Sequence, residues 1–399
     1  MTYERSIEGR ISEALLCRNG RNSAERFFHD NVHKRFSVLP QVRAARGDAG
    51  MLKSGYTTGA CAAAASRAAI LVMTGGEAPL IVTITVPDGE TLYIPIDSAE
   101  RTITGARAVV VKDAGDDPDI TDGVSVVVNL SWTGGDDIVF TAGEGVGVVT
   151  KPGLSVPPGQ PAVNPVPRRM ITDAIRSLTN RGVSVTVSIP GGETLAAKTF
   201  NPRLGVVGGL SILGTTGRVR PFSCSAVRES IRCAMDVAVA NGVAAPIFVP
   251  GHIGTRSAVR LFNLEKEKIV EVSNEWGFAI NEARQRPFRH ILVMGHPGKL
   301  AKLAQDDWDT HSSRSKSALP FVVSLYMELT DGPPPGMSTV EGIFGSLPNA
   351  RKRVLGDRLA GAIKKAVMEK IAGSTSISVV LVDMNGNMLG SEGGLTLWE

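Results

Sequence analysis

Apolar positions along this chain follow two different periods. Up to about residue 190 they mostly alternate. IVTITVPDGETLYIPI, residues 81–96, reads as two alternating β-runs around Pro87-Asp88-Gly89-Glu90, the composition of a hairpin turn. Residues 108–112, 123–130, 138–141 and 183–189 read as further strands. Two segments break the alternation. SGYTTGACAAAASRAAILVMTGG, residues 54–76, predicts a loop and then a helix, with Thr58 or Gly59 as cap and glycines as the stop. Residues 168–181 have helical spacing. Strands with isolated helices make an α+β pattern.

Residues 223–241 predict a helix that opens on small polar residues and ends at Asn241-Gly242. Beyond it the strands become short continuous apolar runs, 245–249, 290–294 and 377–382. Helical patterns lie between them, notably 351–372. Such alternation argues a parallel α/β sheet. The boundary is expected near Gly242, giving an α+β domain over 51–242 and an α/β domain over 243–399. DGPPPGM, residues 331–337, is expected to be a loop of the second domain.

The first fifty residues hold nine basic and six acidic side chains and no apolar stretch of the signal-peptide kind. They are expected to form a loosely ordered extension. With no apolar run of membrane-spanning length, the expected location is the cytoplasm and no membrane partner is expected. Aromatic residues make up only 5% of the chain, thin for stacking on nucleic-acid bases, so no nucleic-acid partner is expected. Cys17, Cys61, Cys224 and Cys233 show no CxxC spacing, and the last three, in helical patterns, are expected to be small buried apolar groups.

Charge is concentrated. Residues 190–221, PGGETLAAKTFNPRLGVVGGLSILGTTGRVRP, hold seven glycines with Lys198, Arg203, Arg218 and Arg220 against the single acid Glu193. Residues 143–170 add Lys151, Arg168 and Arg169 against Glu144, so the two stretches exceed the net charge of the whole chain, +4. Glycine permits close backbone approach to another group, and cations beside it point to an anionic ligand; turns with solvated arginines are the alternative. The pattern fits a local pocket for a small polyanion. Gly143-Glu144-Gly145-Val146-Gly147 runs into Pro152 and Gly153 rather than into a helix, so it reads as a turn between β-segments. The adjacent arginines 168 and 169, expected to open a helix, oppose its macrodipole unless they meet carboxylates or phosphates.

Two further motifs, Gly251-His252-Ile253-Gly254 and Gly295-His296-Pro297-Gly298, each follow a predicted strand. Ligands of open α/β sheets sit beyond the carboxyl ends of strands. Neither motif is a dinucleotide fingerprint, and an ordinary turn with an incidental histidine is the alternative. No His, Cys and acid set has metal-ligand spacing, and no P-loop, GxSxG or HExxH occurs.

SGYTTGACAAAA, GEGVGVVTKPGL, PAVNPVPRRMI, KTFNPRLGVVGGLSILGTTGRVRP, SNEWGFAINEA, GHPGKLAKLA and THS occur in one order over about residues 52–383. Together they closely resemble the CbiD family, the cobalt-precorrin-5B (C1)-methyltransferases of cobalamin biosynthesis. The resemblance implies transfer of a methyl group from S-adenosylmethionine to carbon 1 of a cobalt-containing corrin precursor. It also implies an α+β part followed by a Rossmann-like part. The cobalt would arrive with the substrate. After Thr310-His311-Ser312, where the family pattern continues with arginine, this chain has Ser313 and then Arg314.

An acceptor fringed with acetates and propionates needs cations, so Lys151, Arg168, Arg169, Arg203 and Arg218 are expected to bind its carboxylates. Gly251, Gly254, Gly295, His296, Gly298 and Lys299 are expected to border the S-adenosylmethionine pocket. Thr310-His311-Ser312 is expected to close the cleft, with His311 the candidate for proton handling. Two other functions stay open: an ATP-dependent small-molecule kinase, with the TTGA turn holding phosphate, and a non-catalytic tetrapyrrole carrier. Homo-oligomerisation is open as well.

Overall fold

The alanine run becomes α1 (Thr58–Met73), buried over nearly its whole length. Only small side chains let a helix sit this deep between other elements. Its cap is Thr57, one residue before the expected pair, whose hydroxyl accepts from the Ala60 N–H at 3.1 Å. The Gly59 N–H is taken by Leu213 O at 2.9 Å. Both amides are thus spent inside the protein, which removes the phosphate-holding role considered for the TTGA turn. The computed structural model describes residues 52–399 except Phe222, Asp331 and Pro335. The N-terminal extension, Cys17 and part of the DGPPPGM loop therefore lie outside the described residues.

Before α1 lies β1 (Gly55–Tyr56). The hairpin forms as read, β2 (Ile81–Thr85) against β3 (Thr91–Pro95), with alternate residues buried. Next come β4 (Ser98–Arg101), β5 (Gly105–Val111), β6 (Ser125–Trp132), β7 (Ile138–Ala142), the short β8 (Val148–Val149), α2 (Pro165–Arg176), β9 (Val183–Ser188) and α3 (Gly192–Ala196). Strands β4-β5-β6-β9-β7 form one sheet, antiparallel except for β7 with β9. Its buried Val126, Val128, Val185 and Val187 share one core with the α1 alanines and with Ile171 and Ile175 of α2. Helix α2 starts three residues before Arg168, because Pro165 and Pro167 fall in the first turn, where a missing N–H costs nothing.

The glycine-rich segment adds β10 (Val206–Val207) and β11 (Arg218–Val219). β10 pairs with β8 and β11 with β1. The glycines of the two basic stretches meet each other. Gly147 N donates to Leu210 O and Leu210 N to Gly145 O, both at 2.9 Å. A Cβ on Gly209 would stand 2.2 Å from Gly145 O. At this crossing the group that glycine lets approach is backbone.

Residues beyond 222 form α4 (Cys224–Ala240), β12 (Ile247–Val249), α5 (His252–Phe262), β13 (Ile269–Glu271), α6 (Trp276–Ala283), β14 (His290–Gly295), α7 (Pro297–Leu300), α8 (Leu319–Met327), α9 (Val340–Ser346), α10 (Asn349–Ile371), β15 (Ser376–Val382) and β16 (Met388–Glu392). Strands β13-β12-β14-β15 are parallel, and β16 adds antiparallel to β15. Both faces are covered, so the strands read as unbroken apolar runs. Phe248, Val293 and Val379 face the core with α4, α6 and α10, while Ile247, Val249, Leu292 and Val380 face α5. The inner face of α4 contributes Ile231, Met235 and Ala238 to that core. Cys224, at the start of this helix, is exposed, a correction to the buried cysteine expected there. Cys61 is buried as expected, its thiol pushed up to about 12 by burial. The fold is thus a mixture of α and β elements around two main sheets. Among the described residues no helix is long and apolar enough to cross a membrane.

Candidate functional site

Strand order decides where a ligand meets the second sheet. From β12 the chain goes to β13 on one side, then returns to β14 on the other. The reversal opens a crevice beyond the carboxyl ends of β12 and β14, the usual ligand position in such sheets. The two expected glycine motifs end those two strands. Gly251 has φ +154°, and the space where its side chain would stand is open. Gly295 lies so close to Pro250 that a Cβ would sit 2.8 Å from the proline Cδ. Gly254 is pressed against Val249 and Gly298 against His296 in the same way. Gly251 alone of the four faces free space; the others hold the crevice walls together.

His296 caps α7: its Nδ1 accepts from the Gly298 N–H at 3.1 Å, which leaves the ring proton on Nε2. Burial pushes its pKa below the ordinary 6.5, against the pull of Glu341 and Asp383. The neutral ring is the form the fold selects. Its contribution to stability is full above pH 6.5 and fades as acid protonates Nδ1 and displaces the Gly298 N–H. We expect His296→Asn, which keeps a cap acceptor without titrating, to flatten the fall in melting temperature between pH 7 and pH 5 (roughly the histidine range). An unchanged slope would refute the assignment.

The SNEWG, THS and GKLAK motifs meet beside this crevice. Glu275 and Asp309 form a β-bridge, Gly277 N donates to Trp308 O at 3.0 Å, and Thr310 N donates to Asn274 O at 3.1 Å. Thr310 is buried. His311 is half-exposed, its Nδ1 2.8 Å from the Ser313 hydroxyl and its N–H on Asp309 at 3.0 Å. Arg314 pairs with Asp309 at 2.5 Å. That guanidinium is the main reason the Asp309 carboxyl lies below its ordinary range. Ser315, just beyond, accepts from the buried Lys302 at 2.6 Å. Lys302 was missed in the sequence; its only signal is its position three residues after Lys299.

The five expected carboxylate-binding cations are not gathered in one place. Lys151 pairs with Glu267 at 2.7 Å and Arg203 with Glu271 at 2.6 Å. Glu267 precedes β13 and Glu271 ends it, so these two cations join the basic loops to the second sheet. Glu271 also accepts from Thr255, four residues past Gly251. Arg203 therefore reaches the edge of the glycine-motif crevice. Arg218 grips Glu90 in the β2–β3 turn with two donors, Nε at 2.7 Å to Oε2 and Nη2 to Oε1.

Arg168 and Arg169 diverge. Arg168 lies over the Phe140 ring at 4.9 Å and donates to Val163 O and Pro161 O. Burial lowers its pKa. Arg169 is exposed and lines a groove with Arg67, Thr83, Thr85, Asp173 and Ser177. Arg67, a second residue the sequence reading passed over, donates there to Ser177 at 2.7 Å.

The CbiD family model matches residues 45–221. Cobalt-precorrin-5B C(1)-methyltransferase of Syntrophotalea carbinolica is 48% identical over 87% of this chain and 99% of that protein. The Methanocaldococcus jannaschii protein of the same name is 42% identical over 85% of this chain and 96% of its own length. A crystal structure of the cobalamin biosynthesis protein cbiD from Archaeoglobus fulgidus is 28% identical, with a TM-score of 0.36, over 66% of this chain and 83% of that one. The fold is that of a mixed α and β protein whose glycine turns flank a strand-order reversal, a place where open sheets commonly take ligands. The chain belongs to the CbiD family.

Proposed function

We propose that the chain is a methyltransferase that methylates carbon 1 of cobalt-precorrin-5B in cobalamin biosynthesis, with S-adenosylmethionine as donor. The 48% identity to the Syntrophotalea carbinolica enzyme over 99% of its length carries this reading. The relatives named as methyltransferases give the kinase and carrier readings no support. The cobalt belongs to the substrate. S-adenosylmethionine supplies a methyl group already activated on a sulfonium. The chain is then asked for alignment more than for a strong base.

The crevice fits such a donor. It has open space at Gly251 and the half-buried Lys299, whose ammonium has no hydrogen bond or ion pair among the described residues. Gly251, Gly295, His296 and Lys299 would hold the donor, with Gly254 and Gly298 shaping the walls behind them. Arg203, tied through Glu271 to Thr255, brings the basic loops to the same edge. Arg168 and Arg169, without acid partners among the described residues, would receive acetate or propionate groups. Lys151, Arg203 and Arg218 would do so only by exchanging Glu267, Glu271 and Glu90 for substrate. His311, whose Nδ1 lies 2.8 Å from the Ser313 hydroxyl, would be the residue to handle a proton.

The reading describes an α+β domain followed by a Rossmann-like α/β domain. We place their junction near residue 222 rather than Gly242, because α4 packs into the second core. It also puts the protein in the cytoplasm, in keeping with free cysteines at 61, 224 and 233.

Incubation with cobalt-precorrin-5B and methyl-labelled donor, followed by mass analysis, tests the reading; product without the label would end it. Arg168→Ala with Arg169→Ala is expected to weaken acceptor binding by about tenfold or more, the loss of charge-assisted hydrogen bonds. Titration calorimetry reads it, and unchanged affinity would take these arginines out of the site.

A further inference from the structure

We infer that Lys299 and Lys302 together form a receptor for a carboxylate group at the carboxyl end of β14. The inference rests on the proposed methyl-transfer reading for the identity of the ligand, and on the local geometry for everything else.

Lys302 is 8% exposed. Its ammonium has three donors. Two are used, on Thr310 O at 3.1 Å and Ser315 Oγ at 2.6 Å. Both acceptors are neutral. Ser315 spends its own proton on His311 O at 2.7 Å, so its lone pair is free for the lysine. One donor of the buried ammonium is left over. A buried charge held only by neutral groups is costly, and buried cations are normally paired with an anion. Lys112, the other buried lysine among the described residues, follows that rule with Asp119 at 2.8 Å. Lys302 has no such partner among the described residues.

Lys299 doubles the deficit. It is half-buried, and its ammonium has neither hydrogen bond nor ion pair among the described residues. Burial, and after it the nearby Lys302 charge, hold its pKa below the ordinary value against the pull of Asp309. The neighbouring acids are engaged elsewhere. Asp309 takes Arg314 at 2.5 Å and His311 N at 3.0 Å. Asp307 takes Lys316 N at 2.8 Å, and Asp306 takes the Trp308 indole N–H. Two ammonium groups thus stand at the end of β14, beside the strand-order reversal, with no ion-pair partner among the described residues.

A carboxylate matches the ligands of the proposed reaction. The donor carries one on its methionyl end, and the corrin precursor carries several as acetates and propionates. Both sources offer the same two oxygens to the two lysines, so the experiment has to separate them.

Wild type, Lys299→Met and Lys302→Met are titrated by calorimetry with S-adenosylmethionine, with its decarboxylated analogue and with cobalt-precorrin-5B. If the donor's carboxylate is the occupant, each substitution weakens S-adenosylmethionine by roughly 10- to 100-fold, the range for a charged hydrogen bond. The decarboxylated analogue then binds all three proteins alike. If a ring acid is the occupant, the loss falls on cobalt-precorrin-5B and spares the donor. A thermal-shift series with succinate tests the receptor apart from the reaction. Succinate protects the wild type more than Lys299→Met even if the wild type takes neither substrate, a result that would sink the methyl-transfer reading and leave the receptor standing. Lys302→Met disturbs a buried side chain and is expected to cost stability, whereas Lys299→Met, half-exposed, keeps the test decisive. Equal binding and equal succinate protection in wild type and Lys299→Met overturn the inference.

Discussion

Replacing Gly209 by alanine is expected to cost about 3 kcal/mol of stability, the upper end of the usual range for overpacking, because the atoms it meets cannot yield. The added methyl would stand 2.2 Å from Gly145 O, 2.3 Å from Gly145 C and 2.7 Å from Val146 N. All three are backbone atoms, so no side chain can swing aside. Separating the two loops would break the Leu210 N to Gly145 O bond at 2.9 Å and strain the β8–β10 pair behind it. Gly208 next door is the control. It has φ +86° with nothing within 4 Å of its missing side chain. Gly208→Ala is therefore expected to cost only about 1 kcal/mol, the penalty of left-handed backbone. Chemical denaturation of the two variants reads the difference. Equal costs would mean that the crossing of the two loops is looser than these backbone distances imply.

That crossing marks where the sequence stopped being informative. Strands and the hairpin were legible because alternation is a local property: residues 81–96 fold with the same residues buried that the pattern selects. The continuous apolar runs of the second half were legible for a related reason, since a strand covered on both faces has no polar side. The cap of α1 was not legible within one residue. Thr57, Thr58 and Gly59 all qualify, and the choice falls to Leu213, about 150 residues away, which takes the Gly59 N–H. The density of glycine announced a close approach without saying what approaches.

The site shows the same division. Position after a strand could be read, and it led to Gly251 and Gly295. That the two strands flank the reversal of strand order could not, because order in a sheet is not written in the chain. Clustered cations led to a polyanion pocket, but their partners lie far off in sequence. Lys151 meets Glu267 across 116 residues, Arg203 meets Glu271 across 68, and Arg218 meets Glu90 across 128. Counting charge along the chain cannot distinguish a cation awaiting substrate from one already neutralised by a distant acid. Arg168 and Arg169 illustrate a further limit. Adjacent residues on a helix point about 100° apart, the angle of one step in a 3.6-residue turn. One of them stacks on Phe140 while the other faces a groove.

Glu271→Ala is expected to reduce methyl transfer by about 100-fold in kcat/KM, the scale of a small misplacement remote from the reacting atoms. Glu271 joins two elements. It accepts from Arg203 on the basic loop at 2.6 Å and from Thr255 in the first turn after Gly251. Its side chain is 15% exposed and that of Arg203 is 21% exposed, so the pair is partly withdrawn from water. Removing the acid leaves a guanidinium and a hydroxyl without their acceptor, at a cost of about 2 kcal/mol, below the range for a fully buried pair. Arg203→Ala should cost less in stability, because the orphaned carboxylate keeps Thr255. The double variant should fall short of the two losses added together by about 1–2 kcal/mol, the coupling of residues in direct contact. A double-mutant cycle on both stability and kcat/KM makes the comparison. If the two substitutions prove additive in kcat/KM, Arg203 does not act through Glu271, and the basic loop would have to be positioned by the Lys151–Glu267 pair alone.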